Sequence, residues 1–239
     1  MRLHVRSRDH AGAGWPWVLL HGLAVSHRYL MPTAAALHDG PVLVPDLPGF
    51  GLSGKPSRAY DVGRHCAAVA SWLDAEGIAG ARVLANSFGC QVAVELAVRR
   101  PDLVSALVLV GPTVDPAAPS AAAQALRWVA DLVWEDPRQA RIVAGDVRDA
   151  GVRRVLATLR LSVRHRIDQR LPSVRAPVLF LRGQRDPIAP TRWIRQAAGL
   201  TADAACGVVP AAAHNAITTA GAVVARQAIA FTARVATPN

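Results

Sequence analysis

The feature that most constrains this chain is the texture of its apolar runs. WPWVLLHG (15–22), PVLVPD (41–46), ARVLAN (81–86), LVSALVLVG (103–111), APVLFLRG (176–183) and AACGVVPA (204–211) recur along it, and most are continuous in Val, Leu and Ala. Strands wetted on one face alternate polar and apolar residues. Continuous runs instead suit strands buried on both faces of a parallel sheet. RLHVRS (2–7) does alternate and reads as an antiparallel edge strand. Helical patterns fall between the runs, at 27–38, 62–77, 87–100, 190–199 and 217–234, and Pro101 stops the third. Strand and helix in alternation imply an α/β, doubly wound, mostly parallel sheet with right-handed crossovers.

One interval breaks the rhythm. Between Gly111 and Pro177 no strand is evident. SAAAQALRWVADLVW (120–134) sets Leu126, Val129 and Val133 on one helical stripe, and a second helical stretch runs over 152–170. The expectation is a short helical cap at 113–172, inserted into a core formed by 1–112 and 173–239. Trp128, Trp134 and the apolar stripe are expected to cover or line a pocket. Arg153, Arg154, Arg160, Arg164 and Arg170 are expected on a solvated face, because 153/160 and 160/164 share a helical side.

Composition excludes several classes. The net charge is +10, yet only Lys55 is a lysine, the arginines are scattered, and aromatic residues make up 5%. Nucleic-acid binding asks for a concentrated basic face with interleaved aromatics, so none is expected. No apolar run approaches the ~18 residues of a membrane span, and MRLHVRSRDH has no apolar signal core. Three well-separated cysteines, Cys66, Cys90 and Cys206, suit reduced thiols in a cytoplasmic protein. No partner beyond a small-molecule substrate is expected, neither nucleic acid nor membrane.

In open α/β sheets ligands bind beyond the carboxyl ends of the strands, so the residues that follow strands carry the chemistry. Ser87 follows ARVLAN and opens a helix at once, in an A-x-S-x-G pattern one residue away from the strained G-x-S-x-G elbow of a nucleophile. A serine there also makes an ordinary N-cap, and the stretch alone leaves both readings open. A nucleophilic hydroxyl needs a base. His214, in the small-residue loop AAAHNA after the last strand, is the best placed. His4, His10, His38 and His65 fall on surface or N-terminal elements, and His165 falls in the inserted segment. The group that orients the base is expected to be Asp186, in the Pro-bounded loop RGQRDPIAP, with Asp115 of GPTVDP as its competitor. The backbone N–H of Phe88, at the start of the helix, and of Leu23, after the His21-Gly22 turn, would bind an oxyanion. His21 itself reads as a brace for that loop.

Together HGL (21–23), PDLPGFGLSGKP (45–56), NSFG (86–89), RGQRDPIAP (182–190) and AAAHNA resemble the α/β-hydrolase fold family, and within it the small serine esterases and C–C bond hydrolases with a helical cap. The chain departs from the family pattern at Ala85, where Gly is usual, and in the shortness of its cap. The resemblance implies a triad of Ser87, Asp186 and His214 with Leu23 and Phe88 as oxyanion donors. Dehalogenases and epoxide hydrolases of the family place an Asp at the elbow, where this chain has Ser87. No zinc-like spacing, P-loop or dinucleotide fingerprint occurs, so no cofactor or metal is expected. The expected activity is hydrolysis of a small, neutral carboxylic ester or thioester. The alternatives are C–C bond cleavage of a β-diketone by the same residues and a non-catalytic, ligand-binding member of the fold.

Overall fold

The computed structural model describes residues 2–9 and 14–235, so His10 lies outside the described residues. The strands are β1 (Val5–Arg8), β2 (Trp17–Leu20), β3 (Val42–Pro45), β4 (Ala81–Asn86), β5 (Val104–Val110), β6 (Val178–Gly183) and β7 (Ala204–Val209). They form one sheet in the order β1-β3-β2-β4-β5-β6-β7. Only β1 runs antiparallel to its neighbour. The continuous apolar runs end up inside: β2, β4, β5 and β6 are buried along nearly their whole length. β7 is the exception. It is the far edge of the sheet, and Val208 is half exposed although its run reads as a core strand.

Helices cover both faces. α1 (His27–Ala36) and α10 (Gly221–Val235) pack together, with Tyr29, Leu30, Val224 and Ala228 filling one apolar layer. α2 (Val62–Ala75), α3 (Phe88–Arg99) and α8 (Thr191–Gly199) cover the other with Val69, Leu73, Val92 and Trp193. The C-terminal helical pattern breaks in two, into α9 (Ala216–Thr219) and then α10. Gly221 at the break lies against α1, where a Cβ would sit 2.5 Å from the Thr33 nitrogen.

Between β5 and β6 the described chain forms four helices: α4 (Ala121–Asp131), α5 (Ala140–Ala150), α6 (Val152–Ser162) and α7 (Ile167–Arg170). The sequence reading lacks α5 altogether. The orientation of α4 also differs from expectation. Leu126, Val129 and Val133 face solvent, each more than half exposed. The inward stripe is Gln124, Trp128 and Asp131, spaced four and three apart. Asp115 anchors the start of this segment: its buried carboxylate pairs with Arg127 at 2.8 Å and with Arg192. Of the arginines expected on a wet face, Arg153, Arg160 and Arg164 are exposed. Arg154 instead donates to the Pro56 carbonyl at 2.6 Å, and Arg170 pairs with Glu95 at 3.0 Å.

Candidate active site

Register brings the strand ends together. Asn86 on β4 is level with Val110 on β5, and β6 and β7 end beside one another at Gly183 and Val209. Ser87 follows at once with φ 53° and ψ −118°, a conformation that a residue with a Cβ adopts only when its surroundings enforce it. The enforcement is visible. The Ser87 N–H donates to the Val110 carbonyl at 3.0 Å, and the Cys90 N–H donates to the Ser87 carbonyl at 3.0 Å. A Cβ on Gly89 would lie 2.5 Å from the Leu20 carbonyl oxygen, so only glycine lets the helix start this close to β2. The Ser87 side chain caps nothing. An N-cap serine has an extended backbone and a bonded hydroxyl, and Ser87 has neither.

His214 lies in the loop between β7 and α9, buried, with Nδ1 2.9 Å from Asp186 Oδ2. Asp186 Oδ1 accepts from the N–H groups of Ile188 and Ala189 at 2.8 and 2.9 Å, so both oxygens are held and the loop aims the second at the imidazole. Burial pushes the Asp186 carboxyl up, but the His214 charge and these hydrogen bonds outweigh it and hold it below the usual value. Burial pushes His214 down, and Asp186, Asp131 and Glu135 together pull it above 6.5. His214 Nε2 has no partner among the described residues. Gly111 makes room for the pair: a Cβ there would lie 2.9 Å from the imidazole ring.

The loop after β2 is braced as expected. His21 Nε2 accepts from the Leu47 N–H at 2.8 Å, which leaves the proton on Nδ1 to donate to the Gly22 carbonyl at 2.7 Å. Burial lowers the His21 pKa and keeps the ring neutral. Holding the Gly22 carbonyl turns the N–H of the same peptide, that of Leu23, the opposite way, since a trans peptide points the two apart. Among the described residues neither the Leu23 nor the Phe88 N–H donates to a protein group.

Ser87, His214, Leu23 and Trp128 line a single cavity of about 610 Å³. Trp134 does not line it; it is half exposed, with the Arg185 guanidinium 5.4 Å from its ring centre. His165 is turned away toward Glu95 at 3.3 Å. His65, read from the sequence as a surface residue, is fully buried among Phe50, Tyr60 and Phe88, and burial pushes its pKa down to about 3.

A model of the α/β hydrolase fold matches residues 16–176. The chain belongs to that family. Over 115 residues it is 36% identical to a 2-hydroxymuconate semialdehyde hydrolase of Pseudomonas sp. (strain CF600), a match covering 45% of this chain and 40% of the relative. Over 93 residues it is 34% identical to a haloalkane dehalogenase of Bradyrhizobium diazoefficiens, covering 38% and 29%. The chain thus aligns with less than half the length of either relative. Among solved structures, a thermophilic esterase from Thermogutta terrifontis superimposes with a TM-score of 0.82 at 22% identity, covering 98% of this chain and 95% of that one. An enol-lactonase from Burkholderia xenovorans gives 0.78 at 21%, covering 97% and 96%. These two share the fold.

For this α/β hydrolase the sequence reading missed the cavity residues that touch the loop of His214. Asp131 and Glu135, from the end of α4 and just beyond it, line the cavity and accept from the N–H groups of His214 and Asn215 at 3.2 and 2.6 Å. Their signal, a carboxylate on the same helical side as Gln124 and Trp128, is visible in the sequence only once the buried side of α4 is known. Among the described residues one other cluster resembles a metal site: donor atoms of His4, His27 and Asp46 lie within 4.8 Å of each other. Asp46 already accepts from the N–H groups of His27 and Leu52, at 2.7 and 2.8 Å, which commits its carboxylate to holding the Gly-rich turn. No described helix is long and apolar enough to cross a membrane.

Proposed function

We propose that this α/β hydrolase is a serine hydrolase that cleaves a small carboxylic ester or thioester through an acyl-enzyme on Ser87. The observation that carries the reading is the strained corner at Ser87 facing one cavity with the buried His214–Asp186 pair. Ser87 Oγ attacks the carbonyl carbon as His214 Nε2 takes its proton. The oxyanion meets the Leu23 and Phe88 N–H groups, each worth on the order of 10²-fold in turnover. Collapse expels the alkoxide or thiolate, which takes the proton back from His214. Water, deprotonated by the same nitrogen, then frees the acid. Asp186 fixes the tautomer that leaves Nε2 free and stabilises the imidazolium. Residues 113–172 act as the cap, and Trp128 shapes the acyl pocket beneath it.

The muconate semialdehyde hydrolase relative favours a second reading, C–C bond cleavage by the same residues. A muconate is an anion, and the cavity of this chain has carboxylates and no lysine or arginine in its wall. A buried anion without a partner is heavily penalised, so the ester reading fits this cavity better.

The test is a fluorophosphonate adduct on Ser87 by peptide mass spectrometry, together with turnover of a neutral p-nitrophenyl ester. Modification at Ser87 with turnover supports the reading. A folded protein that neither hydrolyses esters nor takes the label at Ser87 rejects it in favour of a binding role.

A further inference from the structure

The cavity beside Ser87 gathers carboxylates. Asp131, Glu135 and Asp136 line it with no lysine or arginine, and His214 is the one basic side chain in its wall. Asp131 is only 5% exposed. Every other buried carboxylate among the described residues has an arginine or histidine nitrogen within 3.0 Å: Asp46 has His27, Glu95 has Arg99, Asp115 has Arg127, Asp146 has Arg28 and Asp186 has His214. Asp131 has none. Its Oδ1 accepts only the His214 N–H, and Oδ2 meets no donor among the described residues. Glu135, partly buried beside it, likewise lacks a cation and is held by the Asn215 N–H and, at 3.2 Å, by Gln139 Nε2.

A buried charge in a folded protein is ordinarily paired. Burial, helped by the Glu135 and Asp186 charges, drives Asp131 up to about 7 against the pull of His214, as happens to a buried carboxylate without a close ion-pair partner. Asp131 opens onto the space that the reacting groups and aromatic side chains share. His214 Nε2 is buried, unpartnered and lines this cavity. Tyr29 and Trp128 line it too, and aromatic faces attract ammonium groups.

We propose that Asp131, backed by Glu135, is a cation subsite, and that the substrate of this hydrolase is an ester or thioester bearing an ammonium group. This rests on the serine hydrolase reading above and names its substrate class. Asp131 accepts from the backbone N–H of His214 and lines the same cavity as Ser87, so its carboxylate borders the space that a substrate bound at Ser87 occupies. The net charge of +10 opposes a cation at long range. Salt screens that repulsion beyond about 8 Å, and the desolvated carboxylates act inside that distance.

The experiment uses the full chain at about pH 8, above the Asp131 value of about 7. Two p-nitrophenyl esters of equal length are compared, one acyl chain ending in trimethylammonium and the other in tert-butyl, its neutral isostere. The expected kcat/KM ratio favours the cation by on the order of tenfold. Asp131→Asn, which keeps an acceptor for the His214 N–H, is expected to remove that preference. Glu135→Gln, which serves if the first variant does not fold, is expected to reduce it. Calorimetric binding of hexyltrimethylammonium to the wild type, weakened in the same variants, is the second readout. If the neutral ester turns over as well as the cationic one, the subsite is rejected while the hydrolase reading stands. If neither ester turns over, the hydrolase reading fails, and the binding measurement alone decides: saturable binding that depends on Asp131 supports the subsite, and its absence overturns it.

Discussion

At Ser87, backbone strain and side-chain freedom occur in one residue. The φ of 53° is held by the Val110 carbonyl and by the close approach that Gly89 permits, so the hydroxyl is aimed without being bonded. Removing that hydroxyl leaves the strain and the packing in place. Ser87→Ala is therefore expected to lower kcat/KM for an activated ester by on the order of 10³-fold or more, with a melting temperature within a few degrees of wild type. Retained turnover in that variant would take the nucleophile elsewhere. The two candidate acids separate in the same way. Asp186 touches the imidazole, whereas Asp115 is spent on Arg127 and Arg192. Asp186→Asn should cost about 10⁴-fold in kcat through the wrong tautomer. Asp115→Asn should lower the melting temperature and leave kcat close to wild type. A kinetic series that ranks the two the other way would reverse their roles.

Among the elements, α4 and α6 contrast within one inserted segment. α6 places Val155 and Leu159 in the core, and Leu159 lines a small void beside Ser87 with Phe88 and Trp128. Leu159→Ala should cost about 3 kcal/mol by leaving a void. α4 turns Leu126, Val129 and Val133 to water, so Val129→Ser should change stability by less than about 0.5 kcal/mol. Denaturant titration of both variants checks the contrast, and a large loss for Val129→Ser would mean that the stripe is covered. The missing α5 has a related cause. Its fully buried residues Asp146 and Ala150 are polar or small, Val143 and Val147 beside the cavity are only half-buried, and Asp146 is buried because Ser26 and Arg28 of the α1 entry bond it at 2.8 Å. Those partners lie far away in the chain, so Asp146 reads locally as solvated, although Val143 and Val147 stand at helical spacing.

For the molecule as a whole, the cavity charge predicts how activity and stability follow pH. As the proposed base, His214 must be neutral to act, and Asp186, Asp131 and Glu135 raise its pKa above 6.5. The kcat/KM profile should therefore rise with pH and reach half its plateau above 6.5. Asp131→Asn should move that midpoint down, and an unmoved midpoint would mean that its charge does not reach the imidazole. Stability has the opposite sign at Asp131. A carboxyl whose folded pKa is about 7, against 3.8 when unfolded, costs nothing below the lower value. The cost grows as pH rises between the two and is full above 7. Asp131→Asn should thus raise the melting temperature at pH ~8 and leave it nearly unchanged at pH ~4; equal shifts at both would mean that the acid is not strained.

The sequence by itself determined the sheet, because runs of Val, Leu and Ala too long to alternate have no low-energy home except strands buried on both sides. It also determined the order in which Ser87, Asp186 and His214 follow those strands, since a parallel sheet with matched register sets every strand end on one edge. The brace at His21 was legible for the same reason, as it lies directly after β2. Tertiary structure alone decided which side of α4 is inward. An amphipathic pattern says that two faces differ, but which one turns inward depends on partners such as the His214 N–H that Asp131 accepts from, which only folding brings to the helix. It also decided that His65 is buried and that Trp134 is outside the cavity. The fate of Asp131 was set at the same level: a carboxylate on a helix reads as solvated until the chain folds it over His214, with no cation beside it.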